Sequence, residues 1–312
     1  MPDIVISEFM DAAAVDGLAR DFSVLYNPAL VDRPDDLMAV LGSARALIVR
    51  NRTQVTDAVL AAGPKLQAVG RLGVGLDNID MAACKARGIP VFPATGANDQ
   101  AVAEYVIAAV LVLLRGAYHA GEAMLAGQWP RQALMGREAA DKTLGLVGYG
   151  AIARQVARRA GALGMAVAAV DPFVAPDDAA WQGVARHESL ASLLAAADAV
   201  SLHVPLTDKT RGLMGAAALA TMKRGAVLIN TARGGVVDEA ALAESLRRGH
   251  LGGAALDVFA EEPLGAGAAA VFAGLDNVIL TPHIAGVTQE ANVRVSALTA
   301  ETVRRVLEGN QG

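Results

Sequence analysis

The sequence predicts an α/β protein made of two doubly wound parallel-sheet domains. Three observations carry that expectation. Short aliphatic runs alternate with helical patterns along nearly the whole chain, the arrangement that yields a parallel sheet covered on both faces. The composition is 54% hydrophobic but only 4% aromatic, with 32 glycines, which suits buried strands and alanine-rich helices. The length, 312 residues, exceeds what a single core of about 250 residues holds.

Taken in order, Ile4-Val5-Ile6, Val24-Leu25-Tyr26, Leu47-Ile48-Val49, Leu66-Gln67-Ala68-Val69 and Ile89-Pro90-Val91-Phe92 read as strands. Helical patterns near 11–20, 34–42, 56–62 and 79–87 fall between them. A long helix is expected from Asp99 to Arg115, with Asp99 in its first turn and Glu104 one turn further in. A less regular stretch around Gln128-Trp129-Pro130 follows. From Thr143 the alternation resumes, with strands expected at Leu144–Gly148, Ala166–Asp171, Val200–Val204, Val227–Thr231, Ala254–Phe259 and Val278–Leu280. A closing helix runs from Gln289 to Glu308 and stops at Gly309. It has no obvious partner in the second half, so it is expected to return to the first. The domains are therefore 1–98 with 288–312, discontinuous, and 99–287.

Bulk properties exclude several classes. The net charge is −5 and the pI about 5.6, without clustered Lys and Arg, which argues against a nucleic-acid or membrane-surface partner. One cysteine, Cys84, allows neither an intrachain disulfide nor a CxxC metal site, and no metal is expected. Met1-Pro2-Asp3-Ile4-Val5 lacks a basic leader region. The longest apolar run, Val106 to Leu114, falls well short of the ~20 residues of a membrane span. A cytoplasmic protein is expected.

Thr143 to Ala153 reads strand, glycine turn, helix start, with Gly148, Gly150 and Ala153 in the spacing of a dinucleotide loop. Alone that spacing is weak. Here a strand precedes it, a helix to about Gly161 follows, and a second strand ends in Asp171 about 20 residues on. Gly148 permits the tight turn, and Gly150 lets backbone approach a pyrophosphate. The helix N-terminus at Ala151 and Ile152 then offers free N–H groups to it. Asp171 should accept from the adenosine ribose hydroxyls and repel a 2′-phosphate, which favours NAD over NADP. Ala153 in place of the third glycine loosens helix–strand packing slightly.

Three polar residues lie just beyond expected strand ends of the second half, where ligands bind in open parallel sheets: Arg233, Glu262 and His283. Together they suit oxidation of an alcohol beside a carboxylate. Hydride loss from the carbinol carbon requires the hydroxyl proton to leave, and an imidazole is the natural acceptor. A neighbouring carboxylate fixes the ring and favours its protonated form for the reverse reduction. A guanidinium grips the substrate carboxylate by two prongs, which lysine cannot do. His119, His187 and His250 read as exposed or capping residues, and His203, before Val204-Pro205, as a structural or wall residue.

With these segments in view, the chain resembles the D-isomer-specific 2-hydroxyacid dehydrogenases, in their phosphoglycerate dehydrogenase-like branch, over nearly its whole length. The matching segments are Gly70–Asp80, Val102-Ala-Glu104, Gly145–Ala153, Asn230–Gly235, Leu256–Pro263 and Thr281–Gly286. The resemblance implies a Rossmann NAD-binding domain over 99–287 and a flavodoxin-like substrate-binding domain from 1–98 with 288–312. It implies Arg233 as the carboxylate-binding arginine, His283 as proton donor and acceptor, and Glu262 as its partner. It places Val204, Thr231, Ala232, Asp257 and Gly286 around the cofactor, and Val74 and Gly75 in a loop whose N–H groups meet the substrate acid. Family members are usually dimers joined through the cofactor domain, so a homodimer with an arm at 115–140 is expected. Two departures stand out: Ala151 replaces a frequent basic residue, and Ala153 the usual glycine. The chain ends at Gly312 without the regulatory extension of some relatives, so feedback by serine is not expected.

Arg50-Asn51-Arg52 follows a first-domain strand and Arg71 precedes the Gly73-Val74-Gly75 loop. Three cations at the expected cleft suit a substrate with a second anionic group, such as 3-phosphoglycerate or sulfolactate. Arg52 is of most interest, because relatives often carry a neutral residue there. The alternatives are a glyoxylate/hydroxypyruvate reductase and a non-catalytic NADH-sensing interaction protein, since fold alone does not fix function.

Overall fold

The computed structural model describes residues 1–309. It divides into two compact units, Met1–Asn98 with the segment beginning at Val287, and Asp99–Gly286. The first unit is built on Ile4–Ile6 (β1), Val24–Tyr26 (β2), Ala46–Val49 (β3), Ala68–Arg71 (β4) and Val91–Pro93 (β5). β1, β3 and β4 are buried along their whole length, as strands covered on both faces must be. All neighbours pair in parallel, in the order β2-β1-β3-β4-β5. This is the flavodoxin-like order, whose winding reverses between β1 and β3.

Four helices connect these strands: Ala12–Ala19 (α1), Pro34–Val40 (α2), Asp57–Ala62 (α3) and Met81–Ala86 (α4). Asp11, Thr56 and Asp80 cap α1, α3 and α4 by accepting from the amides of Ala13, Val59 and Ala83, each contribution being about 1 kcal/mol. Cys84 on α4 is a free thiol, 1% exposed, in the cluster that contains Val59, Leu60 and Val69. Burial, reinforced by Asp80, pushes that thiol up. The C-terminal helix, Gln289–Leu307, is capped by Thr288. Its Val295, Ala300, Val303 and Leu307 share a core with Ile4, Ile6 and Ile48.

The second unit holds Thr143–Val147 (β6), Ala166–Val170 (β7), Ala185–Arg186 (β8), Ala199–Leu202 (β9), Val227–Asn230 (β10), Gly253–Leu256 (β11) and Val278–Leu280 (β12). All pair in parallel, in the order β12-β11-β10-β9-β6-β7-β8. This is the Rossmann order with one strand added, and its winding reverses between β6 and β9. The helices are Asp99–Arg115 (α5), Gly121–Leu125 (α6), Ala151–Ala162 (α7), Leu190–Ala196 (α8), Ala216–Thr221 (α9), Glu239–Arg247 (α10) and Ala266–Ala269 (α11). The apolar stripe of α5, Val102, Val106, Val110 and Leu113, shares a core with Val156 of α7 and Ile229 of β10. Among the described residues no helix is long and apolar enough to cross a membrane.

The differences from the sequence reading have physical causes. Leu66 belongs to a turn closed by its amide on the Gly63 carbonyl, and β4 starts at Ala68, where pairing with Ala46 begins. The Ile89 amide returns to the carbonyl of Cys84 and finishes α4, so β5 starts at Val91. β8 is a two-residue strand, too short to leave an alternating pattern. In the second sheet the strands stop at Val147, Val170, Leu202, Asn230 and Leu256, short of the expected ends. The residues left over, Gly148, Asp171, His203, Thr231 and Asp257, therefore lie in loops at the carboxyl edge, where such sheets bind ligands.

Candidate active site

At the second unit's switch point, β6 passes into α7 through Gly148-Tyr149-Gly150. Gly148 has φ +87°, and a Cβ there would lie 2.5 Å from the carbonyl oxygen of His203, so only glycine fits. Val204, after β9, borders the same glycine. Gly150 precedes α7 without a side-chain cap, which leaves the first amides of the helix, at Ala151 and Ile152, available to an anion. A Cβ on Gly150 would meet nothing within 4 Å. Internal packing therefore does not call for this glycine, whereas close approach of a pyrophosphate does. Ala153 is fully buried in the α7 core.

Asp171 holds the loop together: its carboxylate accepts from the amides of Tyr149 (2.7 Å) and Phe173 (2.8 Å). Each oxygen keeps a lone pair for a ribose hydroxyl. The buried Tyr149 ring stacks on Trp181 at 5.0 Å between centroids, and Arg154 donates to the Tyr149 carbonyl at 3.2 Å. The buried Thr231 hydroxyl and His203 Nε2, in the loops after β10 and β9, have no protein partner. Buried polar atoms of this kind call for a partner, and an amide- and hydroxyl-rich dinucleotide can supply it. The residues present fit NAD.

His203 is enclosed at its ring nitrogen although part of the residue remains accessible. Burial pushes its pKa down to about 4, so it is neutral at pH 7 and cannot serve as the proton donor. A depressed pKa means that the unfolded chain binds the extra proton first. Its contribution is present above pH ~6.5 and is lost as pH falls toward 4, about 3 kcal/mol in all. His203→Gln should flatten the fall of the urea midpoint between pH 7 and 4.5; parallel curves for variant and parent would refute this.

Three loops of the same unit bring Arg233, Glu262 and His283, the candidates from the sequence, to the carboxyl edge. Glu262 Oε1 accepts from the Phe259 amide at 3.0 Å, and Oε2 pairs with His283 Nδ1 at 2.8 Å. Partial burial pushes the Glu262 carboxyl up. Hydrogen bonds from His283 and Phe259, with the charges of His283 and Arg233, outweigh it and hold the group below the usual carboxylate range. The pairing assigns the proton to Nδ1 and leaves Nε2 to face a substrate. Arg233 lies near enough to contribute to Glu262's charge balance, and its Nη1 also donates to the Ala232 carbonyl at 2.5 Å. Asn230, buried at the end of β10, ties this turn by accepting from the Ala232 amide and donating to the Arg233 carbonyl, both at 3.0 Å.

His283 has φ +55°, a conformation costing a side chain on the order of 1 kcal/mol. Asp257, 1% exposed, over-determines it. Its carboxylate accepts from Thr281 Oγ1 (2.6 Å) and the amides of Ile284 and Ala285 (2.8 Å each). Its carbonyl accepts from the His283 amide. Tyr105 of α5 adds a hydroxyl contact to Thr281 at 2.6 Å. Asp257 thus holds the turn that carries His283; Gly286 follows it in sequence. Tyr105 and Tyr149 carry no signal in the sequence, because their partners Thr281 and Trp181 lie on other elements; Asn230 falls within a matching segment, and its tie to the Ala232–Arg233 turn shows only in the structure.

In the first unit, the loops after β1 and β3 meet at the other switch point. Arg50 donates from Nη2 to Asn292 at 2.8 Å and lies 6.0 Å from the Phe9 ring. Burial lowers the proton affinity of Arg50, and Glu8 opposes that. Asn51 is exposed, and Arg52 is exposed and paired with Asp32. Arg71 is buried, and its guanidinium donates to the carbonyls of Gly75 (2.8 Å) and Leu72 (2.6 Å). It thereby braces the loop that holds Val74 and Gly75.

A glycine turn at an uncapped helix N-terminus with an acid after the next strand, and a histidine–glutamate pair beside an arginine, are together the equipment of an oxidoreductase that works on an alcohol next to a carboxylate. The model of the D-isomer specific 2-hydroxyacid dehydrogenase family, NAD binding domain, matches residues 107–285, and the chain belongs to this family of NAD-dependent enzymes acting on CH–OH donors. It is 60% identical to the (S)-sulfolactate dehydrogenase of Chromohalobacter salexigens, over 98% of this chain and 99% of that one. It is 42% identical to the D-3-phosphoglycerate dehydrogenase of Mycobacterium leprae, over 99% of this chain and 57% of that longer one. Among solved structures, D-lactate dehydrogenase from Aquifex aeolicus, complexed with NAD and lactic acid, superposes with a TM-score of 0.88 at 29% identity, over 98% of this chain and 96% of that one.

Proposed function

We propose that this protein interconverts a small, doubly anionic 2-hydroxy acid and its 2-oxo acid, with a C3 sulfonate of the sulfolactate kind as first choice and 3-phosphoglycerate as second. Arg50 and Arg52 at the switch point of the first unit carry this reading. Two guanidinia two residues apart suit an anion beyond the one that Arg233 binds. The 60% identical relative, named for a sulfonate-bearing acid, supports the order of preference. We assign substrate recognition to the first unit, through Arg50, Asn51, Arg52 and the Val74–Gly75 loop braced by Arg71.

In the second unit Arg233 grips the 2-carboxylate and orients the carbinol carbon. His283 Nε2 takes the hydroxyl proton, and Glu262 stabilises the resulting imidazolium through Nδ1. NAD, when bound, supplies the hydride acceptor. The same residues return the proton in reduction. Asp171 selects NAD over NADP.

A cytoplasmic homodimer completes the proposal. Leu125 and Trp129, 92% and 72% exposed, with Tyr118 and Met135, leave a large apolar surface on the segment after α5. A second copy of the chain would cover it. The test is turnover at 340 nm with NAD or NADP and a panel of acids. We expect kcat/KM for sulfolactate or 3-phosphoglycerate to exceed that for lactate by at least tenfold, as two charge-assisted hydrogen bonds allow. Arg50→Ala should erase that ratio, and Arg52→Ala, whose guanidinium already has Asp32, should reduce it. A ratio near one in the parent, or one unmoved by both variants, defeats the reading.

A further inference from the structure

We propose that Glu8 and Asn78 are positioning residues that set the Arg50–Thr53 loop before ligand arrives, and so fix selectivity for a second anionic group; this rests on the substrate reading above. Glu8 follows β1, and the loop it holds follows β3. These are the two strands between which the winding of the first sheet reverses.

The clamp has two sides. Glu8 Oε1 accepts from the amides of Arg50 (2.8 Å) and Thr53 (2.9 Å), and Oε2 from the amide of Arg52 at 3.2 Å. Asn78 Nδ2 donates to the carbonyls of Arg50 (3.1 Å) and Thr53 (2.7 Å). The Ser7 and Thr53 hydroxyls meet at 2.9 Å. Glu8 and Asn78 are 5% and 8% exposed. Five backbone groups of a four-residue loop are thus satisfied by two buried side chains, neither of which belongs to the loop.

A loop that only joined β3 to α3 would not require a buried charge. A buried carboxylate is costly unless its partners are well placed, and here they are three amides flanking two arginines. The arrangement does two things for those arginines. It orders their backbone in advance, so that less freedom is lost on binding. It also sets a negative charge beside Arg50, favouring its charged form against the effect of burial.

The carboxylate is specific in a testable way. In Glu8→Gln the amide oxygen can keep the Arg50 and Thr53 bonds, but an NH2 then faces the Arg52 amide, donor against donor. The parent, Glu8→Gln and Arg50→Ala are compared on sulfolactate or 3-phosphoglycerate and on lactate, with thermal unfolding as a control. We expect KM for the doubly anionic acid to rise about tenfold in Glu8→Gln, as small misplacements at a site produce, with its kcat and both lactate parameters within about twofold. Equal losses on both acids, or none on either, overturn the proposal. If Glu8→Gln shows no cooperative unfolding, Asn78→Ala decides by the same KM split. A parent that does not favour the doubly anionic acid removes the substrate reading and the clamp with it. A parent that does, with selectivity lost in Arg50→Ala but kept in Glu8→Gln, removes the clamp alone.

Discussion

His283→Ala should lower kcat by about 10²- to 10⁴-fold, the range for losing a positioned acid–base group, while the Kd for NADH changes less than about twofold. The separation of effects follows from the site. His283 Nδ1 is committed to Glu262, and the glycine turn that cradles the nucleotide lies on the loop between β6 and α7. Alanine at φ +55° keeps the backbone strain that histidine already bears and loses the tie to Glu262, so a second variant is needed. Asparagine tolerates the left-handed region and cannot act as a base, so His283→Asn should lose as much kcat with a smaller fall in thermal stability. Stopped-flow turnover together with NADH fluorescence titration checks both statements. Normal turnover in either variant would remove His283 from the chemistry.

Arg233→Lys should reduce kcat/KM about 100-fold although the charge is kept. Hydrogen bonds to a charged group are each worth roughly 1.5–3 kcal/mol, and lysine retains a point charge but not the two parallel donors that hold a carboxylate in one plane. The turn around Arg233 is tied by Asn230, so the backbone should stay in place and the loss should come from the side chain alone. Because orientation of the carbinol carbon suffers with affinity, kcat should fall as well as KM rise. A variant with parental kcat and a modest KM change would mean that Arg233 supplies attraction only.

How much was legible in advance depended on how local the signal was. Asp99–Arg115 was expected at the bounds it has, because a helix with a 3.6-residue apolar stripe announces itself in one window. The glycine loop and Asp171 were legible for the same reason: strand, turn, helix and acid follow each other within one unit. Strand ends were overrun by one to three residues, since apolar or small residues such as Val204 and Val258 continue the composition of the strand after its pairing stops. Glu8 leaves no trace in the sequence and Asn78 shows only as part of the matching segment Gly70–Asp80, because what marks them is convergence on a loop some forty and twenty-five residues away. Asp257 was read as a neighbour of the cofactor, and its hold on the turn of His283 could be seen only once β11 and β12 lay side by side.

The single cysteine has a practical consequence. Cys84 lies in the core of the first unit, whereas both tryptophans, Trp129 and Trp181, belong to the second. A thiol reagent therefore reacts only when the first unit opens, and indole emission reports only on the second. Unlabelled protein thus carries one native reporter for each half, and a denaturant series followed by both readouts separates their stabilities without a single substitution.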